Sequence, residues 1–99
     1  MAEIILSHQA KADLDNIYDY IFQDSPLYAQ RQVEKILKRI NRITNSIQSG
    51  RIMPELYVEA IREVFEGNYR IIYRIISADK VEVVAILHTA RFFDKDGIV

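Results

Sequence analysis

Residues 61–91 read IREVFEGNYRIIYRIISADKVEVVAILHTAR, three short runs rich in Ile, Val and Tyr separated by turn residues. The first run, Ile61 to Phe65, stops at Glu66-Gly67-Asn68. A Gly-Asn pair between two β-rich runs marks a hairpin, because both residues tolerate positive φ. The second run is Tyr69 to Ile76. After Ser77-Ala78-Asp79-Lys80 the third extends from Val81 to His88 and gives out at Thr89-Ala90-Arg91. This pattern predicts an antiparallel three-stranded meander. Strands so short and apolar do not stand alone in water, so the rest of the chain must cover one face.

Working outward, Ala2 to Leu6 is a short β-type run, expected to join the sheet as a fourth strand. Ser7 reads as an N-cap, without the full capping box because Ala10 stands where Glu or Gln would be. In the helix that follows, Ala10, Leu14, Ile17 and Ile21 form a stripe. Tyr18 and Phe22 lie beside it, and Asp13, Asp15 and Asp19 lie elsewhere on the wheel. Ser25-Pro26 ends this helix and starts the next, since proline at the first helical position loses no hydrogen bond. Val33, Ile36, Leu37, Ile40, Ile43 and Ile47 run down one side of the second helix, with Gly50 placed to end it in a left-handed conformation. The short connection folds the helices into an antiparallel hairpin on one sheet face, and Arg51 to Ala60 is left as a loop. The expected architecture is α+β, in the order strand, helix, helix, three strands, with residues 1–99 as a single domain.

At 99 residues and 49% hydrophobic content, the chain suits one small folded domain. The absence of cysteine excludes disulfides, a thiol nucleophile and a zinc-thiolate site, and fits a reducing cytoplasm. The opening MAEIILSHQ lacks the basic start and long apolar run of a signal peptide, and no run is long enough to span a membrane. Net charge is −1, yet residues 26–51 carry Arg31, Lys35, Lys38, Arg39, Arg42 and Arg51 against Glu34 alone. That band is either a solvated helix face or a surface for an acidic partner.

Motifs of known chemistry are sparse. There is no Gly-rich phosphate loop, no His-x-x-x-His pair and no nucleophile elbow, and His8 and His88 lie too far apart in sequence to suggest metal ligation, so no cofactor or metal is expected. What remains is a set of polar residues on apolar strands: Glu63, Arg70, Arg74, Glu82, His88 and Arg91. In a meander Arg70 opens the second strand and Arg91 closes the third, so their guanidiniums are expected at one end of the sheet. Such a pair suits bidentate recognition of phosphate or carboxylate; equally, each arginine could be bonded to Glu63 or to Asp94 and Asp96.

These residues also carry a resemblance. The loop Gly50-Arg51-Ile52-Met53-Pro54-Glu55-Leu56, then Ile61-Arg62-Glu63, Gly67-Asn68-Tyr69-Arg70-Ile71-Ile72-Tyr73-Arg74 and Ile86-Leu87-His88-Thr89-Ala90-Arg91, look like the ParE/RelE superfamily of type II toxins, closer to the ParE branch. The resemblance implies a toxin held inactive by a cognate antitoxin, with the growth inhibition and plasmid stabilisation associated with such systems. ParE-like toxins poison DNA gyrase by binding, whereas RelE-like toxins cleave messenger RNA on the ribosome.

Chemistry separates the branches. Cleavage at a 2′-hydroxyl needs a base, an acid and positive charge on the phosphate. Here Glu63, Val64 and Phe65 stand where the RelE branch has basic residues, and no Tyr or His follows Arg91. A net charge of −1 also gives little drive toward ribosomal RNA. The sequence therefore favours a gyrase-directed binder with Arg70, Arg74, His88 and Arg91 as target contacts and no catalytic residue. The nuclease alternative would use Glu63, Arg70, His88 and Arg91, and turns on register: a three-residue turn at Ala78 to Lys80 sets Arg70 and His88 on one face, a two-residue turn on opposite faces. A third alternative is an inactive protein of this fold that only binds antitoxin.

A sheet covered on one side leaves apolar surface on the other. Ile72, Ile76, Val84 and Ile86 are expected there, with Ile72, Val84 and Ile86 available to an antitoxin tail whose acids face Arg31, Lys35, Lys38, Arg39 and Arg42. A homodimer and a toxin–antitoxin hetero-oligomer are both open.

Overall fold

Local side-chain chemistry sets the segment boundaries in the computed structural model, which describes residues 2–89. Strand β1 (Glu3–Leu6) runs into Ser7, whose Oγ accepts the Ala10 N–H at 2.9 Å and donates to the Val84 carbonyl at 2.7 Å. The cap thus starts helix α1 (His8–Phe22) and pins it to the far end of the chain. Ser25 caps helix α2 (Pro26–Arg42) by accepting from Tyr28 N–H at 3.2 Å, with Pro26 in the first turn as expected.

The end of α2 differs from expectation. The helix stops at Arg42 and tightens into a 3₁₀ turn, Ile43–Asn45, well short of Gly50. Thr44 Oγ1 donates to the Asn41 carbonyl at 2.7 Å, a local bond that competes with the helical ladder. Gly50 is needed for a different reason. Its N–H donates to Tyr73 Oη at 3.0 Å while that hydroxyl donates to the Ile47 carbonyl at 2.7 Å, and a Cβ at position 50 would stand 2.5 Å from Oη. Close approach, not a left-handed backbone, fixes glycine here.

Four further strands follow: β2 (Arg51–Ile52), β3 (Ile61–Glu66), β4 (Tyr69–Ser77) and β5 (Lys80–His88). The sheet order is β1-β5-β4-β3-β2, with β1 parallel to β5 and the other pairs antiparallel. The expected meander and N-terminal strand are present; β2 lies inside the segment read as loop. At the β3–β4 turn Gly67 alone takes positive φ, at 56°, the requirement of a type II′ hairpin.

Between β4 and β5 the loop is the two-residue Ala78-Asp79, closed by Ser77 opposite Lys80. Two irregularities follow, an extra residue on β4 at Ile76 and one on β5 at Val84, and they cancel. Arg70 therefore pairs with Leu87, and Tyr69 with His88.

The helices cover one sheet face. Ala10, Leu14, Ile36, Ile40 and Ile43 pack on Val64, Ile71, Tyr73, Val81, Val83 and Ile86. Leu37 does not belong to this stripe and is 42% exposed, because it follows Ile36 by one position and points about 100° away. The opposite face is not left open: Met53 folds back over Ile61, Ile72 and Ala85, with Leu56, Val84 and Leu87 around them. This corrects two expectations of surface availability. Ile72 is fully buried beneath the 51–60 segment, and Ile86 is buried under the helices, because the extra residue at Val84 reverses the alternation of β5. Val84 is half-buried and Ile76 exposed.

Asp13 was placed by the helical wheel away from the core, yet it is buried. Strand β1 ends at Leu6, opposite Val83, so the edge of β5 beyond it lacks a strand partner. Asp13 Oδ2 supplies one, accepting the Ile86 N–H at 2.8 Å, while Oδ1 accepts from Gln9 at 2.7 Å.

Candidate functional site

The distal face, away from the helices, carries a chain of four charges. Arg51 lies opposite Glu63 in the β2–β3 pair, and Arg70 stands on β4 beside them. Glu63 Oε2 accepts from Arg51 Nε at 2.8 Å and from its Nη2; Glu63 Oε1 accepts from Arg70 Nε at 3.0 Å and Nη2 at 2.7 Å. From the segment between β2 and β3, Glu55 reaches the outer edge of the same guanidinium, with Oε2 2.8 Å from Nη1 and Oε1 accepting from Nη2 at 3.0 Å. Arg51 also lies over the Phe65 ring, 5.6 Å from its centroid.

Burial grades this network. Glu63 is 1% exposed and Arg70 7%. Burial alone would lower the Arg70 pKa, but its hydrogen bonds to Glu55 and Glu63 and their negative charges hold it above the ordinary value. Arg70 is therefore a permanent cation, and among the described residues its cluster holds two arginines and two glutamates.

Arg74 shares the distal face but stands four residues along β4, about 13 Å away at strand spacing. It pairs with Glu82 at 2.8 Å in an exposed setting, apart from the Glu63 and Glu55 contacts of Arg70. His88 lies on the other face. Its ring meets Tyr69 edge-on at 5.7 Å, at the mouth of a cleft of about 390 Å³ lined by Asp13, Asn16, Ile17, Tyr20, Tyr69, Ile86, Leu87 and His88. Burial, and then the neighbouring Tyr20, push the Tyr69 phenol above its usual range. The register thus brings Glu63 and Arg70 together and sends His88 to the opposite side. Arg91 lies outside the described residues, as do Asp94 and Asp96.

Arg31, Lys35, Lys38, Arg39 and Arg42 form one stripe along α2, exposed but for the half-buried Arg39. Among the described residues none of the five is in an ion pair. Among the described residues there is also no cluster of His, Cys, Asp or Glu arranged to hold a metal ion, and no helix is long and apolar enough to cross a membrane.

Two residues of the charge network, Arg51 and Glu55, were not singled out from sequence as site residues. Arg51 counted only toward the basic segment, and Glu55 lay in what read as a connecting loop. Their roles follow from the pairing of Arg51 with Glu63 and from the fold-back at Met53, neither of which has a local signature.

Comparison with known proteins gives a consistent result. A family model described as "ParE toxin of type II toxin-antitoxin system, parDE" matches residues 4–93. The chain is 32% identical over 91 residues to a protein named Toxin RelE2 from Caulobacter vibrioides, spanning 92% of this chain and 99% of that one. Its fold is similar to a solved structure described as the chromosomal ParDE TA system from P. aeruginosa, with TM-score 0.71 and 22% identity, covering 89% of this chain and 96% of that one. The matched span includes both helices and every strand that carries the charge network, so the chain belongs to the ParE toxin family of type II toxin–antitoxin systems.

Proposed function

We propose that this toxin acts on DNA gyrase by binding, without breaking a bond itself, and that a cognate antitoxin neutralises it. The observation that carries this reading is the separation of His88 from Glu63 and Arg70 onto opposite sheet faces, with the Glu63 carboxylate engaged by two guanidiniums. A general base must reach the proton it removes, and both Glu63 carboxylate oxygens are already occupied by guanidinium hydrogen bonds. Arg70 and Arg74 instead suit contacts to an anionic or acidic surface. The antitoxin would lay acidic residues along Arg31, Lys35, Lys38, Arg39 and Arg42, beside exposed Leu37.

Supercoiling of relaxed plasmid by gyrase and ATP is expected to fall as toxin is added, with cleaved DNA accumulating. Unimpaired supercoiling at toxin excess would remove gyrase as the target. A second reading, ribosome-dependent messenger RNA cleavage, is favoured by the similarity to a protein named RelE2. It requires Glu63 or His88 as proton carrier, and would show as messenger RNA cut in a translation extract.

A further inference from the structure

The outward side of α2 is a line of positive charge. Arg31, Lys35, Lys38 and Arg42 follow one another at steps of four, three and four, so they fall within about 60° of the helical wheel, and all four are exposed. Glu34, the acid of this helix, accepts from Gln30 at 3.1 Å instead of pairing with a neighbouring base. Between Arg31 and Arg42 the outward line carries no apolar side chain, since Leu37 stands about 130° round the helix from its centre. A partner that packs a helix into a groove needs a row of apolar anchors, whereas a phosphate backbone needs charge alone.

We propose that this line is a binding site for the phosphate backbone of duplex DNA. The inference rests on, and extends, the reading of gyrase as target: a toxin seated on gyrase meets the duplex that gyrase handles, and an antitoxin lying along the same residues keeps DNA away from them.

Dimensions support it. At a rise of about 1.5 Å per residue the line from Arg31 to Arg42 covers about 16 Å, and one strand of a duplex presents a phosphate about every 3.4 Å of its axis, so four cations face about five phosphates. Asn41 and Asn45, exposed at the Arg42 end, add amide donors of the kind that contact phosphate oxygens. The net charge of −1 does not oppose the contact. Charges are screened beyond about 8 Å at physiological salt, and Glu55 and Glu63 lie on the distal sheet face of a molecule 21 Å deep along its shortest axis. A phosphate at α2 therefore meets the local bases and not the sum over the chain.

Fluorescence anisotropy of a labelled DNA duplex of about 20 base pairs, titrated with the full-length toxin at about 50 to about 200 mM salt, tests this. With four phosphates neutralised, the slope of log affinity against log salt is expected to be about −3.6, a loss of about 150-fold over that range. Lys35→Gln with Lys38→Gln removes two of the four charges and is expected to halve the slope, leaving a loss of about 12-fold. Lys35→Arg with Lys38→Arg keeps the charges and is expected to keep the slope. No binding at the lowest salt, a slope unchanged by the glutamine pair, or the same reduction in the arginine pair would overturn the proposal. Equal or tighter binding of an RNA duplex of the same sequence would overturn the assignment to DNA. The titration contains neither gyrase nor antitoxin, so its failure and a failure of the gyrase reading in the supercoiling assay are separate results.

Discussion

Glu63→Met is the most exacting perturbation of the charge network. The substitution keeps the bulk of the side chain and removes a carboxylate that accepts four guanidinium hydrogen bonds, two from Arg51 and two from Arg70. Arg51 is largely exposed and regains water, so its loss weighs little. Arg70 has no such recourse, being 7% exposed, and its inner edge is left facing an apolar side chain. Breaking one partner of a buried pair costs about 3–5 kcal/mol, and the surviving contact with Glu55 places this case near about 3 kcal/mol. For a domain of this size, that lowers the melting temperature by roughly 12–24 °C. Removing Arg70 as well relieves the unpaired charge, so Glu63→Met with Arg70→Met should be less damaging than the sum of the singles, by about 2 kcal/mol. Urea unfolding of the four proteins of the cycle measures this coupling. A Glu63→Met cost below about 1 kcal/mol, or additive single substitutions, would show that water screens the cluster and that it does not hold Arg70 in place.

Three further outcomes are expected. Gly50→Ala should destabilise by about 1–3 kcal/mol in urea unfolding, because the new Cβ meets Tyr73 Oη at 2.5 Å and Cε1 at 2.9 Å; a neutral effect would mean that Tyr73 moves aside freely. Burial raises the Tyr73 phenol above 10.0, a shift that the Gly50 hydrogen bond and then Arg62 and Arg39 only partly offset. The folded state holds that proton more tightly than the unfolded chain, so the contribution is complete below pH about 10 and is lost as pH rises through the folded value. Melting curves should therefore show an alkaline decline that Tyr73→Phe reduces, and identical declines would remove Tyr73 as its source. Arg74→Ala deletes an exposed pair with Glu82 and should change stability by less than about 1 kcal/mol while reducing growth arrest; full toxicity at equal expression would take Arg74 out of the target surface.

The fold was legible wherever a local signal carries the information. Ser7 and Ser25-Pro26 mark both helix starts, and Gly67-Asn68 marks the hairpin, since capping and positive φ are properties of a few adjacent residues. What escaped depends on pairs distant in sequence. The extra residue at Val84 cannot be read from the continuous apolar run Val83-Val84-Ala85-Ile86-Leu87, yet it decides that Ile86 lies under the helices and not on the surface. Covering of the distal face by Met53 and Leu56 likewise has no periodicity to betray it. Of the candidate site, the bond between Arg70 and Glu63 was anticipated as one of several options. The two-residue turn at Ala78-Asp79, which separates Arg70 from His88, was weighed against a longer one that only the register could exclude. Arg51 joined the site because a two-residue strand pairs it with Glu63, an element too short for any sequence pattern to announce.

Whether the toxin binds gyrase or cuts RNA is tested most directly in cells where its synthesis is induced without antitoxin, by mapping gyrase-linked DNA breaks and messenger RNA ends in the same culture. Binding to gyrase predicts that DNA breaks covalently attached to gyrase rise within the period of growth arrest, that messenger RNA ends remain as before induction, and that Arg74→Ala lowers the break signal. Messenger RNA newly cut at codon boundaries, with no rise in gyrase-linked breaks, would contradict it and return Glu63, Arg70 and His88 to consideration as catalytic groups.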